Sequence, residues 1–166
     1  MTTALSDIHI RPARLEDAGD LASLCFPEED AGQVRDYLAF CLRHPHITRL
    51  VAEANGRVVG NIELVRWKDK GEIGGLCVAA AFRRRGIARR LLGAAVELAR
   101  RQGIRRLELY APADQPWLLA FYRRMGFEGA EKAWLPLTTG GAEVVRLHMG
   151  MSPPCGSGEP DGIWVG

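Results

Sequence analysis

The sequence predicts an α+β domain, a mixed but mostly antiparallel twisted sheet of six or seven strands flanked by about four helices. Three observations carry that expectation. Residues 49–54 and 57–67 are apolar runs joined by Asn55-Gly56, a dipeptide that readily adopts the positive φ angles of a tight hairpin turn. Residues 72–110 read strand, helix, strand: a short apolar run at 72–78 gives way to Ala88, Leu91, Leu92, Ala95 and Ala99 at i, i+3, i+4, i+7 and i+11. At 166 residues the chain suits one domain that buries about two thirds of its unfolded surface around a single core.

Residues 8–11 read as a first strand, placed near a sheet edge because Pro12 cannot donate to a ladder. A helix over 15–25 ends before Pro27, and a second over 31–43 sets Val34, Tyr37, Leu38, Cys41 and Leu42 on one face before His44-Pro45 stops it. The hairpin and the run at 72–78 then make an antiparallel meander through a turn at 68–71. Gly74-Gly75 inside the third run predicts a bulge or a close backbone approach. The long helix, opening at Gly86 and running to Arg101, is capped by Gly103, and the strand at 105–110 follows through a right-handed crossover to a parallel neighbour. Pro112 and Pro116 frame the loop into a short helix at 117–124, closed by Gly126. Strands at 127–130 and 143–149, with a turn at 138–142, end a domain spanning 1–151. Residues 152–166 are rich in Pro, Gly and Ser and read as a flexible tail, with Trp164 as a residue that could dock.

Composition excludes several classes. A net charge of +2 is too mild to demand a nucleic-acid partner. No apolar run approaches the roughly 18 residues of a membrane span, and residues 1–7 lack the features of a secretory signal. Four cysteines (Cys25, Cys41, Cys77, Cys155) show no CxxC or Cys/His spacing and are expected as reduced thiols in a cytoplasmic protein. His44 and His46 have no carboxylate or cysteine at ligand spacing, so no metal is expected.

The informative stretch is residues 83–88, RRRGIA, at the start of the long helix. Free backbone N–H groups and the helix dipole favour an anion there, and Gly86 lets a phosphate approach without a Cβ in the way. Five arginines within 83–90 supply charge-assisted hydrogen bonds. RxxGxA at 83–88, following a strand that ends Leu76-Cys77-Val78, resembles the acetyl-CoA signature of the GNAT superfamily of N-acetyltransferases. FYxxxGF at 121–127 resembles that family's ending motif.

The resemblance implies a GNAT-like fold splayed between its fourth and fifth strands, and acetyl-CoA as cosubstrate without a metal. Backbone groups of Leu76, Cys77 and Val78 would hold the pantetheine and thioester, with Val78 N–H as oxyanion donor. Amides of Arg84, Arg85, Gly86, Ile87 and Ala88 would take the pyrophosphate, and the side chains of Arg83, Arg84 and Arg89 the adenosine phosphates. Tyr122 matches the family's general acid, against the plainer reading that it packs beside Phe121. Glu72 stands where the histone-acetylating branch has its catalytic glutamate; the plainer reading is an exposed strand-end residue. Gln115 replaces an asparagine often found seven residues before the tyrosine, which puts its cofactor contact in question. Phe26, Tyr37, Phe40 and Trp67 fall in segments that line the acceptor pocket of relatives, although core is the first expectation for each, as it is for Trp117. The acceptor would be a primary amine, in a small molecule or at a protein lysine or N-terminus, and a homodimer through the last strands is a family-level expectation. Transfer of another acyl group, a non-catalytic CoA sensor and a nucleic-acid module using residues 83–90 are the alternatives.

Overall fold

The computed structural model describes residues 7–137 and 140–152. Thr138 and Thr139 of the expected turn at 138–142, and the proposed tail beyond residue 152 with Trp164 and Cys155, lie outside the described residues, while residues 140–142 are strand rather than turn. In chain order the elements are β1 (Ile8–Pro12), a 3₁₀ turn at Leu15–Asp17, α1 (Ala18–Cys25), α2 (Ala31–Arg43), β2 (Ile47–Ala54), β3 (Arg57–Trp67), β4 (Lys70–Val78), α3 (Ile87–Arg101), β5 (Arg106–Pro112), α4 (Pro116–Arg124), β6 (Glu128–Leu137) and β7 (Gly140–Gly150). The strands form one seven-stranded sheet in the order β1-β2-β3-β4-β5-β7-β6. Among the described strands only β4 and β5 run parallel, so α3 is the crossover between them. At the β2–β3 hairpin, Asn55 and Gly56 both have positive φ, 53° and 76°.

The sheet is covered on both faces because its strands alternate. Ile62, Leu64, Ile73, Leu107, Leu109 and Leu147 pack on α3 and α4, which contribute Ile87, Leu91, Leu92, Ala95, Ala99, Leu119 and Tyr122. Val51 and Val58 face the other way and pack on Ala18, Leu21, Ala22, Val34 and Leu38 of α1 and α2. The apolar stripe of α3 therefore meets the sheet along its whole length, and each fully buried leucine contributes about 1.5–3 kcal/mol relative to exposure.

Several expectations change. Cys25 and Cys77 form a disulfide, with Cα atoms 5.8 Å apart across 52 residues of sequence. The end of α1 lies over β4, a proximity that sequence spacing does not reveal. Cys41 is free and buried. Tyr37, Phe40, Trp67 and Trp117 are 45%, 49%, 55% and 67% exposed, so none is a core residue. β6 reaches Leu137, well past the expected 127–130, because it pairs with β7 as far as Leu137↔Gly140.

Candidate active site

The β4–β5 ladder is short. It joins Lys70–Ile73 to Arg106–Leu109 and stops, although β4 continues to Val78 and β5 to Pro112. Beyond that point β5 remains paired with β7, so the backbone of β4 facing β5 opens into a cleft. The separation starts at a bulge in β4: one residue between Asn61 and Glu63 of β3 faces two between Gly74 and Cys77. Gly75 takes the extra turn with φ +61°, a conformation that side chains with a Cβ resist.

Past the bulge the register decides which groups face the cleft. Ala79 N–H donates to Val59 O at 2.8 Å, so Val59 and Ala79 are a hydrogen-bonded pair. Alternation makes Gly60/Val78 the non-bonded pair, and Val78 N–H points away from β3 into the opening. Cys77 lies opposite Asn61 in the next bonded pair, so its main chain turns toward β3 and its side chain toward α1. Leu76 and Val78 pack against the same core as Tyr122.

The loop into α3 turns twice through left-handed backbone, at Arg84 (φ +61°) and Gly86 (φ +77°). The first helical bond runs from Arg90 N–H to Gly86 O, which leaves the amides of Gly86, Ile87, Ala88 and Arg89 without an intrahelical partner. A Cβ on Gly86 would meet nothing within 4 Å, so the space beside Gly86 is open. Arg83, Arg84 and Arg89 are exposed beside it. Arg83 Nε donates to Val78 O at 3.2 Å and ties the loop to the end of β4. Arg85 instead lies over the Phe82 ring at 5.2 Å. This combination of orphan amides, open space and guanidinium groups fits a diphosphate, and the cleft beside β4 fits an amide-rich chain.

Tyr122 is 7% exposed on α4, with the rings of Phe121 and Phe127 at 5.3 and 6.2 Å. Burial pushes its phenol up to about 12. Gln115 is the residue before α4, and its carbonyl receives the amides of Leu118 and Leu119. Glu72 lies across the sheet from the buried Ile73, in register with Val65 and Glu108. Burial first, and the carboxylates of Glu108 and Glu63 next, raise its pKa. Val78 lies six positions further along the strand, roughly 20 Å away, so the two are not brought into contact.

On the α1–α2 face a cavity of about 330 Å³ is lined by Phe26, Glu29, Val34, Tyr37, Arg49, Glu63 and the bulge residue Gly75. Sequence reasoning placed Phe26 and Tyr37 near such a pocket but missed Arg49, Asn61 and Glu63. Arg49 and Asn61 are 6% and 0% exposed. Arg49 pairs with Glu63, which also accepts from the Tyr37 hydroxyl at 3.0 Å. The only visible sign was two polar residues, Asn61 and Glu63, inside the apolar run of β3.

Residues 15–127 match the acetyltransferase (GNAT) family. The chain belongs to that family. A curated relative, an uncharacterized N-acetyltransferase of Methanocaldococcus jannaschii, is 31% identical over 110 residues, 61% of this chain and 49% of its own length. The chain thus spans about half the length of that relative. The GNAT fold is equally plain in solved structures. A ribosomal-protein-alanine N-acetyltransferase from Brucella melitensis superposes with a TM-score of 0.76 at 21% identity, covering 86% of this chain and 99% of its own. A spermidine N-acetyltransferase from Vibrio cholerae gives 0.77 at 16%, covering 89% and 95%. The PaiA N-acetyltransferase from Thermoplasma acidophilum, solved with coenzyme A, gives 0.70 at 18%, covering 86% and 98%. Among the described residues no helix is long and apolar enough to cross a membrane.

Proposed function

We propose that this GNAT chain transfers an acetyl group from acetyl-CoA to a primary amine by direct attack in a ternary complex. The observation that carries the reading is the open β4–β5 cleft ending at the orphan amides of Gly86–Arg89, with Val78 N–H aimed into it. The cosubstrate supplies an activated thioester, and the residues of this chain supply the rest. Amides of Arg84, Arg85, Gly86, Ile87 and Ala88 receive the pyrophosphate, with Arg83, Arg84 and Arg89 around it. The backbone of Leu76, Cys77 and Val78 lies along the pantetheine. Val78 N–H faces the thioester oxygen, where a preformed donor stabilises developing negative charge.

Tyr122 donates the proton that the departing thiolate needs. A phenol raised by burial stays protonated through the neutral range, so the donor is always loaded. Glu72 receives the proton of the acceptor amine through intervening water, since it stands well back along β4. Its raised pKa makes it a stronger base than an ordinary carboxylate. The cavity between Phe26, Tyr37 and Gly75 adjoins the bulge and takes the body of the acceptor. The named acceptors of the structural neighbours, a ribosomal-protein alanine and spermidine, mark the two classes to try first.

Thermal unfolding with acetyl-CoA, followed by thiol release in the presence of amines, tests the proposal. At ~100 times its Kd the cosubstrate adds about 2.7 kcal/mol to the folded state and raises Tm by several degrees. No shift at any acetyl-CoA concentration, or binding without thiol release on any amine, would sink it.

A further inference from the structure

The bulge that opens β4 is fastened by one side chain that the scheme above does not use. Asn61 is wholly buried on β3, opposite Cys77. Its Nδ2 donates to Gly75 O at 2.8 Å, and its Oδ1 accepts from Arg49 Nη1 at 2.9 Å. Arg49 has only donors and the Gly75 carbonyl only accepts, so the orientation of the amide is determined by its neighbours. Arg49 is held in turn by Glu63, and Glu63 by Tyr37.

The chemistry of the bulge explains why an amide stands there. An extra residue in one strand leaves a carbonyl outside the regular ladder, and a buried carbonyl without a donor is costly. Asparagine can accept from Arg49 and donate to Gly75 at once. Aspartate can only accept, and leucine can do neither. The direction of the Gly75 carbonyl sets the peptide plane entering Leu76, and from there the backbone of Leu76, Cys77 and Val78. A Cβ on Gly75 would approach Asn61 Nδ2 at 3.3 Å, so little room exists for a different arrangement.

We propose that Asn61 is a positioning residue for acetyl transfer, aiming the Leu76–Val78 backbone at the cosubstrate through its hydrogen bond to Gly75 O. This rests on the acetyl-CoA reading above. It also makes Arg49, Glu63 and Tyr37 an anchor that joins one wall of the acceptor cavity to the cosubstrate strand.

Asn61→Asp separates the two bonds. The variant keeps an acceptor for Arg49 but sets a carboxylate oxygen against Gly75 O. Measured by calorimetry and steady-state kinetics well below Tm, the expected result is a loss of about 10-fold or more in acetyl-CoA affinity and in kcat/KM for acetyl-CoA. A role confined to stability lowers Tm yet leaves both within about 2-fold of wild type at that temperature, and that result overturns the proposal. The wild-type protein supplies a second measurement that needs no variant: the side-chain amide resonance of Asn61 should shift on titration with acetyl-CoA. A resonance unmoved at saturation overturns the proposal as well. Wild-type protein that binds no acetyl-CoA removes the transfer reading itself, an outcome distinct from normal binding by Asn61→Asp.

Discussion

Tyr122 and Glu72 sit in unlike surroundings, and each makes its own prediction. Burial raises the phenol of Tyr122 to about 12, so its proton is present throughout the neutral range. Tyr122→Phe removes the proton and keeps the ring packed between Phe121 and Phe127. The expected outcome is a fall in kcat of ~10²-fold or more with acetyl-CoA affinity retained; an unchanged kcat would show that another group protonates the thiolate. Burial, with Glu108 and Glu63 beside it, shifts the Glu72 carboxyl upward from its usual value, so kcat/KM should rise with pH as that carboxyl ionises, and Glu72→Gln should flatten the limb. The same shift bears on stability. The folded state binds this proton more tightly than the unfolded chain, so stability falls as pH rises from the ordinary carboxylate range through the raised value. Glu72→Gln should therefore have a higher Tm than wild type at neutral pH, with the gain vanishing in acid. Equal melting curves at both pH values would contradict it. In the sequence, Tyr122 was singled out by the FYxxxGF motif and Glu72 by its distance before Gly86. Asn61 was not, because its partners Arg49 and Gly75 are 12 and 14 residues away and meet it only when β2, β3 and β4 pair.

Among the elements, α3 and the turn before it follow most directly from local sequence. Leu91, Leu92, Ala95 and Ala99 are all buried, as a period of 3.6 requires, and Gly86 takes the left-handed conformation that its place before the helix suggested. Gly86→Val should cost about 1–3 kcal/mol by forcing a β-branched residue to φ +77°, measurable by denaturant unfolding. It should also weaken acetyl-CoA binding if the diphosphate sits against Gly86, because the branched side chain fills the open space beside it; full affinity in calorimetry would move the diphosphate elsewhere. β4 shows what local reading misses. Gly74-Gly75 signalled a bulge, but the number of residues opposing one another depends on the partner strand. β6 was underestimated for a related reason. Its outer half, with Pro136, has little intrinsic strand character and is held by the ladder to β7, where Trp134 lies over Gly141, a position with no room for a Cβ.

At the scale of the whole molecule, the disulfide between Cys25 and Cys77 joins α1, next to Phe26 of the cavity on that face, to β4. Closing a loop of 52 residues restricts the unfolded chain, and reduction is expected to lower stability by about 2–4 kcal/mol. Melting with and without a dithiol reductant, together with thiol counting by mass after denaturing alkylation, checks this. A full count of free thiols in the untreated protein would rule the bond out. Helix and strand identities, the hairpin at Asn55-Gly56 and the glycine turn opening α3 were determined by the sequence alone, because backbone preferences and hydrophobic periods act over a few residues. The order β5-β7-β6, the length of the β4–β5 ladder, the disulfide and the Arg49–Asn61–Gly75 clamp were decided only by the tertiary structure. Each depends on which distant segments share a sheet and in what register, and burial energy summed over the whole core makes that choice.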